Sequence, residues 1–310
     1  MTKQTAVIEI EKPTHGTLPW HLVRHRQQGK CVVGGSEVSI IMGANSYETI
    51  TDLAVRKLLP PVVTEASDAM DRGNYLEPSL ISYASDKMNV QLVTPNVMYL
   101  NGRVISTLDA RGVGADSGVV VEAKTNNGWS LGSDLPTSWW WQAQAQMHCT
   151  DTDSVTFVVL DRQMRLGLQE VMRSDEGISE MIKHVELFCS AIDAEQLPDD
   201  TQLTAPQVSA LFAQPEGDVE LDGSAITLLQ EWEAVKHALK DYEQREKQIK
   251  DTLANMLRDK EFGTFEGKRV LSYKAQSTKR LDTKALAEAH PEIATAYTTA
   301  STFRVLRTTK

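Results

Sequence analysis

The chain is poor in cysteine: 310 residues carry only Cys31, Cys149 and Cys189, far apart in sequence. An odd count with no CxxC pair makes neither a disulfide framework nor a zinc or iron–sulfur ligand set, and predicts reduced thiols in a cytoplasmic protein. No apolar run approaches the roughly 20 residues that a membrane-spanning helix needs, so no membrane partner is expected. The opening Met-Thr-Lys-Gln-Thr has no signal-peptide apolar stretch. Basic residues are also scarce, 32 Lys and Arg against 42 Asp and Glu, for a net charge of −10. That total argues superficially against a polyanionic partner. The distribution is uneven, however. Residues 263–310 hold nine Lys or Arg against four Asp or Glu, a local +5 that leaves −15 for the first 262. A protein can confine its basic groups to one track and keep carboxylates elsewhere, so net charge excludes little.

What the chain does have is an ordinary globular composition, 41% hydrophobic and 24% charged, with length for one large domain or two. Its most informative stretch is Leu108–Lys124. Arg103–Ala110 is apolar enough for a strand, and Val119-Val120-Val121 begins a β-branched run. Between them Gly112, Gly114 and Gly118, with Asp116 and Ser117, supply turn chemistry. The pattern predicts a hairpin with Asp109 near the end of its first strand. Side chains alternate along a strand, so Glu122 and Lys124 share a face and Ala123 points to the other. Two carboxylates and an ammonium would then meet at one sheet edge. Mg²⁺ takes oxygen ligands and is held by one or two carboxylates plus substrate phosphate. A nearby lysine can hold water or stabilise charge developing on that phosphate. The grouping therefore fits metal-assisted phosphodiester hydrolysis, although Glu-x-Lys also serves as a solvent-facing ion pair at a strand end.

Around this stretch, Trp20-His-Leu-Val-Arg24-His-Arg26 precedes Gly34-Gly35-Ser36-Glu37. Ser36 suits a helix N-cap, and a helix start with Arg24 or Arg26 nearby suits an anion; plain capping with surface arginines is the alternative. His21 and His25 stand four apart with no third ligand, and read as surface histidines. Helices are predicted over Ser46–Leu59, closed by Pro60-Pro61, over Ser79–Lys87, and over Glu176–Ala191. Glu77 is then either a first-turn residue or a carboxylate facing the other acids. A helix after Pro136 puts Gln142 and Gln146 on one face. Trp139, Trp140 and Trp141 cannot all point inward, so one of them is expected to be exposed. Ser154–Leu160 is a strong buried strand.

Taken in order, Gly-Gly-Ser-Glu at 34–37, Arg72-Gly73 with Glu77-Pro78, Leu108-Asp109-Ala110, Glu122-Ala123-Lys124-Thr125, Trp129, Pro136 and Gln142-Ala143-Gln144 resemble the YqaJ-like viral recombinase family, relatives of phage lambda exonuclease. The resemblance covers about residues 20–200. It implies an α/β restriction-endonuclease-like core, a central mixed β-sheet flanked by helices. The nuclease domain would occupy residues 1–213. The implied activity is Mg²⁺-dependent 5′→3′ exonucleolytic degradation of linear double-stranded DNA from its ends, with Mn²⁺ as a possible substitute. It would leave 3′ overhangs for a single-strand annealing recombinase in phage-type recombination. The resemblance further implies that Asp109, Glu122 and the Ala123 backbone carbonyl bind metal. Lys124 would assist the attacking water, Glu77 would be a further active-site carboxylate, and Gln142 would lie beside them. Arg24 and Ser36 would hold the 5′ phosphate, with Arg26 competing for that role, and a homotrimeric ring is implied as the assembly.

Residues 214–310 lie beyond that core and read as an appended module of one long helix and a small β-hairpin. Trp232, Val235, Leu239, Tyr242, Ile249, Leu253 and Met256 recur at alternating spacings of three and four, broken only at Glu246. They predict a heptad-like stripe on a helix of roughly 35 residues that packs against a partner helix or the core. Phe262–Tyr273 reads as a hairpin turning at Glu266-Gly267-Lys268, with a strand over Thr302–Leu306. Arg269, Lys274, Lys279 and Arg280 are candidate contacts to DNA backbone, or simply a basic surface patch. Two alternatives to an exonuclease stay open. One is an endonuclease or single-strand nuclease on the same core. The other is a non-catalytic DNA-binding or assembly protein, against which the intact Asp109, Glu122 and Lys124 argue.

Overall fold

Period-two runs and capped amphipathic segments alternate along the first two-thirds of the chain, and in the computed structural model they become two mixed sheets with helices packed around them. The structure describes residues 7–63, 65, 67–126, 128–198, 202–299 and 304–308, in two compact units, Met1–Leu211 and Phe212–Lys310. The first unit opens with β1 (Ile8–Glu11), α1 (Leu18–His25), a two-residue ladder of β2 (Arg26–Gln27) and β3 (Lys30–Cys31), then β4 (Val33–Gly34) and the single turn α2 (Val38–Ile41). Helices α3 (Ile50–Leu58) and α4 (Asp68–Met88) follow, then β5 (Leu92–Val93), β6 (Val97–Asn101), β7 (Val104–Ser106), β8 (Ala110–Gly112) and β9 (Val120–Thr125). The unit closes with α5 (Thr137–Thr150), β10 (Ser154–Leu160), β11 (Leu166–Met172), α6 (Asp175–Asp193) and α7 (Ala205–Leu211).

One sheet has the order β1-β6-β7-β4 and the other β11-β10-β9-β8-β5. In the second, β8 and β9 are antiparallel, α5 crosses over, and β10 returns parallel to β9 with Phe157 beside Glu122 and Val159 beside Lys124. This is an α/β arrangement, a mixed sheet flanked by helices. Alternation along β9 sorts its residues to two helices. Val121 and Ala123 join Ala110, Val158 and the Leu80 and Ala84 positions of α4. Val120 joins Ala143 and Met147 of α5, Phe157 and Val159 in the larger cluster. Burial of these branched and aromatic side chains is the main force holding the layers.

Several boundaries differ from expectation. The single strand expected over Arg103–Ala110 is two, because β7 pairs with β6 and β4 while β8 pairs with β9 and β5. Thr107–Asp109 carries the chain from one sheet to the other, a switch that needs a bend in the strand. The helix expected from Ser46 starts at Ile50, where Thr49 and Asp52 form a reciprocal capping box. Helix α4 starts eleven residues before Ser79, capped by the Ser67 hydroxyl, and contains Pro78. Glu77 is therefore a mid-helix residue, not a first-turn one. Ser36 is not an N-cap: α2 begins after Glu37, with no side-chain cap. None of the three tryptophans is exposed, since Trp139 is buried and Trp140 and Trp141 are half-buried edge to face, 4.6 Å between centroids.

The second unit contains the 35-residue helix α8 (Gly223–Leu257), the hairpin β12 (Phe262–Phe265) and β13 (Lys268–Ser272), and the short helices α9 (Thr283–Ala289) and α10 (Pro291–Ala296). Asp222 caps α8 by accepting from the Ser224 and Ala225 amides. Its apolar stripe is largely uncovered. Leu257 is buried, but Val235, Leu239, Tyr242 and Met256 are exposed. Of the strand expected at 302–306, Thr302 and Phe303 lie outside the described residues, and Arg304–Leu306 are not in a strand. Among the described residues no helix is long and apolar enough to cross a membrane.

Candidate active site

Strand β9 enters from a buried valine pair and ends in the half-buried Ala123, Lys124 and Thr125, so its polar residues emerge where the sheet loses its cover. Glu122 is 5% exposed and sits on the face covered by α5. Its Oε1 accepts from Lys124 Nζ at 2.9 Å and from Gln142 Nε2 at 2.5 Å. Its Oε2 accepts from Gln146 Nε2 at 2.6 Å. Gln142 closes a triangle, because its Oε1 accepts from Lys124 Nζ at 2.9 Å. Asp109 stands just before β8, and its Oδ2 accepts the Ala123 backbone N–H at 2.8 Å. That bond fixes the carboxylate against the residue whose carbonyl is the candidate metal ligand.

The charges here do not balance. Burial raises the Asp109 carboxyl well above its ordinary value, and repulsion from Glu122 and Glu77 adds to this. Burial also raises Glu77, with Glu122 the next cause. For Lys124 burial pulls downward, but the attraction of Glu122 and Asp109 wins and raises its pKa. Three carboxylates thus face one ammonium in a poorly solvated corner. Among the described residues no three acidic, histidine or cysteine side chains form a metal cage by themselves. A hard divalent ion nevertheless fits this donor set. It needs one or two carboxylates, a carbonyl and otherwise water or phosphate, and it would offset the surplus negative charge.

A second constellation lies beside the first, close enough for Arg24 to feel the charge of Glu122. The Arg24 guanidinium lies 4.3 Å over the Trp20 ring, and its Nη2 reaches Ser36 Oγ at 3.4 Å. Gly34 is required for this path, since a Cβ there would overlap the guanidinium. Arg26 is engaged by Asp193 at 3.1 Å, leaving Arg24 as the arginine that faces Ser36. Beneath them Glu37 ties the loop together. It accepts from the Gly34 amide at 2.6 Å, Arg56 at 2.5 Å and Lys57 at 2.8 Å. Burial pushes the Glu37 carboxyl upward, yet Lys57, Arg56 and Arg24 hold it well below the usual carboxylate range. His21 and His25 are half-buried, not surface groups: His21 meets the Trp20 edge and His25 Nε2 lies 3.0 Å from the Leu59 carbonyl.

The structure therefore gathers Asp109, Glu122, Lys124 and Gln142 into one cluster, with Glu77 near enough to feel its charge, and Arg24 with Ser36 into a neighbouring one. Arg269, Lys274, Lys279 and Arg280 are exposed residues of the second unit. Arg269 and Lys274 lie over the Phe262 ring at 3.9 and 4.5 Å; Lys279 and Arg280 are in the coil after β13. Sequence reasoning did not assign Gln146, Glu37, Arg56 or Lys57. Gln146 was within reach of it through the four-residue spacing from Gln142. Lys57 was not, because a buried lysine has no sequence signature.

The YqaJ-like viral recombinase domain matches residues 19–153, a stretch that includes both constellations. A relative, the uncharacterized protein YqaJ of Bacillus subtilis (strain 168), is 22% identical over 276 residues, 84% of this chain and 86% of its own. Similar solved structures include an alkaline exonuclease from Laribacter hongkongensis, with a TM-score of 0.48 and 22% identity over 58% of this chain and 94% of that one. A phage related exonuclease from Haemophilus somnus 129PT has a TM-score of 0.44 and 14% identity over 54% and 95%. Over residues 19–153, then, the chain is similar to the YqaJ-like viral recombinase domain.

Proposed function

We propose that the chain is a metal-dependent deoxyribonuclease that degrades linear double-stranded DNA from 5′ ends. The observation that carries this reading is the convergence of Asp109, Glu122 and Lys124 at the open end of the β8–β9 hairpin, beside the Arg24–Ser36 pair. Asp109, Glu122 and the Ala123 carbonyl would hold Mg²⁺, with Mn²⁺ as a substitute. When bound, such an ion polarises a phosphoryl oxygen and lowers the pKa of its water.

The chain's own residues do the rest. Glu122 and Gln142 hold the Lys124 ammonium in one direction, where it can orient the attacking water and stabilise charge on the scissile phosphate. Glu77 supplies a carboxylate from α4 on the opposite helix layer. Arg24, fixed against Trp20 and Ser36, takes the terminal 5′ phosphate through charge-assisted hydrogen bonds. That anchor sets the register between the DNA end and the reacting phosphate, which favours exonucleolytic over internal cutting. In this reading the nuclease chemistry belongs to residues 1–213 and residues 214–310 are an accessory module. Arg269, Lys274, Lys279 and Arg280 would contact DNA backbone. A homotrimeric ring on DNA and a single-strand annealing recombinase as partner are the associations that fit 3′ overhangs as product.

The direct experiment is linear duplex DNA, labelled at its 5′ or 3′ ends, incubated with and without Mg²⁺. ATP-independent digestion from 5′ ends is expected, with covalently closed circles left intact. Cutting of the circles would favour an endonuclease on the same core. Intact DNA under all conditions would favour a non-catalytic DNA-binding or assembly role. Charge reversal of the four C-terminal basic residues should flatten the salt dependence of DNA binding.

A further inference from the structure

The geometry points to Gln146 as a positioning residue that acts on metal binding through Glu122. This inference rests on the metal site proposed above. Gln146 is 1% exposed, on the inner face of α5 one turn beyond Gln142. Its Nε2 donates to Glu122 Oε2 at 2.6 Å and reaches toward the Thr107 carbonyl at 3.4 Å. A carboxylate only accepts, so the amide nitrogen must face Glu122 and the amide cannot be turned the other way. The oxygen is then left over. Gln146 Oε1 is buried and has no hydrogen-bond partner among the described residues. Both amide atoms of Gln142, by contrast, are used, one on Glu122 and one on Lys124.

A buried acceptor without a donor is unfavourable, and an apolar side chain of the same length would fill this space without one. The amide therefore does its work through its N–H group. With Gln142 and Lys124 on one carboxylate oxygen and Gln146 on the other, Glu122 cannot rotate about its terminal bond. Three of its four lone-pair positions are then taken, and the one left, on Oε2, is held in a fixed direction. Partners of this kind typically change metal affinity by about 10- to 100-fold when removed. Gln144, on the same helix, differs in kind. It bridges the Met172 carbonyl at 2.9 Å and the Ser174 amide at 2.8 Å, a purely structural connection.

The test is Mn²⁺ binding to the full chain, followed by electron paramagnetic resonance in the absence of DNA. Gln146→Met keeps the volume and removes the donor. It should melt cooperatively and raise the Mn²⁺ Kd by about tenfold. In a Glu122→Gln background the same substitution should change Kd by less than about twofold, because coupled effects do not add. In DNA digestion, Gln146→Met should need more Mg²⁺ for half-maximal rate while KM for DNA stays unchanged. A Gln146→Met protein that binds Mn²⁺ like wild type overturns the inference, as does an equal effect in both backgrounds. Loss of folding in both Gln146→Met and Gln146→Ala also overturns it, since the residue is then structural. A wild-type chain that binds Mn²⁺ but cleaves no DNA refutes the nuclease reading alone, and one that binds no Mn²⁺ refutes both.

Discussion

Replacing Asp109 by asparagine should stabilise the metal-free protein and destroy its metal response. The amide retains an oxygen to accept the Ala123 N–H and removes one of three negative charges from the cluster. In the folded chain burial raises the Asp109 carboxyl, with repulsion from Glu122 and Glu77 behind it. A raised carboxylate pKa means that the native state binds more protons than the unfolded chain, so the penalty has a definite pH window. It is absent below the unfolded pKa near 3.9, grows as pH rises through the folded value, and is constant above it. Each unit of displacement corresponds to about 1.4 kcal/mol, or about 3–6 °C in a domain of roughly 200 residues. In chelator at pH 8 the variant should therefore melt a few degrees above wild type, with the difference vanishing toward pH 4. Metal reverses the order. At a hundredfold excess over Kd a ligand stabilises the native state by about 2.7 kcal/mol, which wild type gains and the variant largely forgoes. Scanning calorimetry of both proteins, with Mg²⁺ and with chelator, measures all four melting temperatures. A variant that melts below wild type in chelator at pH 8, or that shifts equally with Mg²⁺, refutes the reasoning.

Three further outcomes follow from the same geometry. Lys124→Ala removes the ammonium from Glu122 and Gln142; DNA cleavage should fall by about 10²–10³-fold while Mn²⁺ affinity does not weaken, and a weaker Mn²⁺ Kd would count against this. Gly34→Ala places a Cβ on the Arg24 guanidinium, the flexible end of a side chain. The melting temperature should barely move, whereas preference for 5′-phosphorylated over 5′-hydroxyl ends should drop severalfold in initial-rate assays. Glu37→Gln leaves Lys57, 2% exposed, without its counter-charge and should cost about 3–5 kcal/mol in urea unfolding at pH 7. The Glu37 carboxyl lies well below its ordinary range, so its stabilisation is present above the unfolded pKa and lost as pH falls toward the folded one. The gap between the two proteins should narrow below about pH 4.3.

Strong local patterns translated directly into structure. Ser154–Leu160 is a continuous β-branched and aromatic run and forms β10 over the same residues. The 3-4 spacing after Leu228 lies within α8. Period-two alternation was sufficient to put Glu122 and Lys124 together, and the four-residue helical spacing put Gln142 and Gln146 on one face; both pairs meet at Glu122. Weak patterns misled. Strand β11, with Gly167 inside it and mostly exposed or half-buried residues, has no apolar alternation to betray it. Glycine before Ser36 resembles a helix entry, but Glu37 accepts the Gly34 amide and the turn begins one residue later.

The sequence by itself determined which residues alternate on β9, where α6 and α8 run, and that carboxylates, an amine and glutamines of suitable chemistry are present. Those properties depend on neighbours within a few positions, which a 2.0- or 3.6-residue period records. Only the tertiary structure decided that Thr107–Asp109 crosses between sheets, that Glu77, in the middle of a helix, lies near enough to Asp109 and Glu122 for their charges to be felt, and that Lys57 is buried beneath Arg24. These depend on which surfaces are desolvated together. Burial and charge at a distance, not local propensity, set the chemistry of this corner of the molecule.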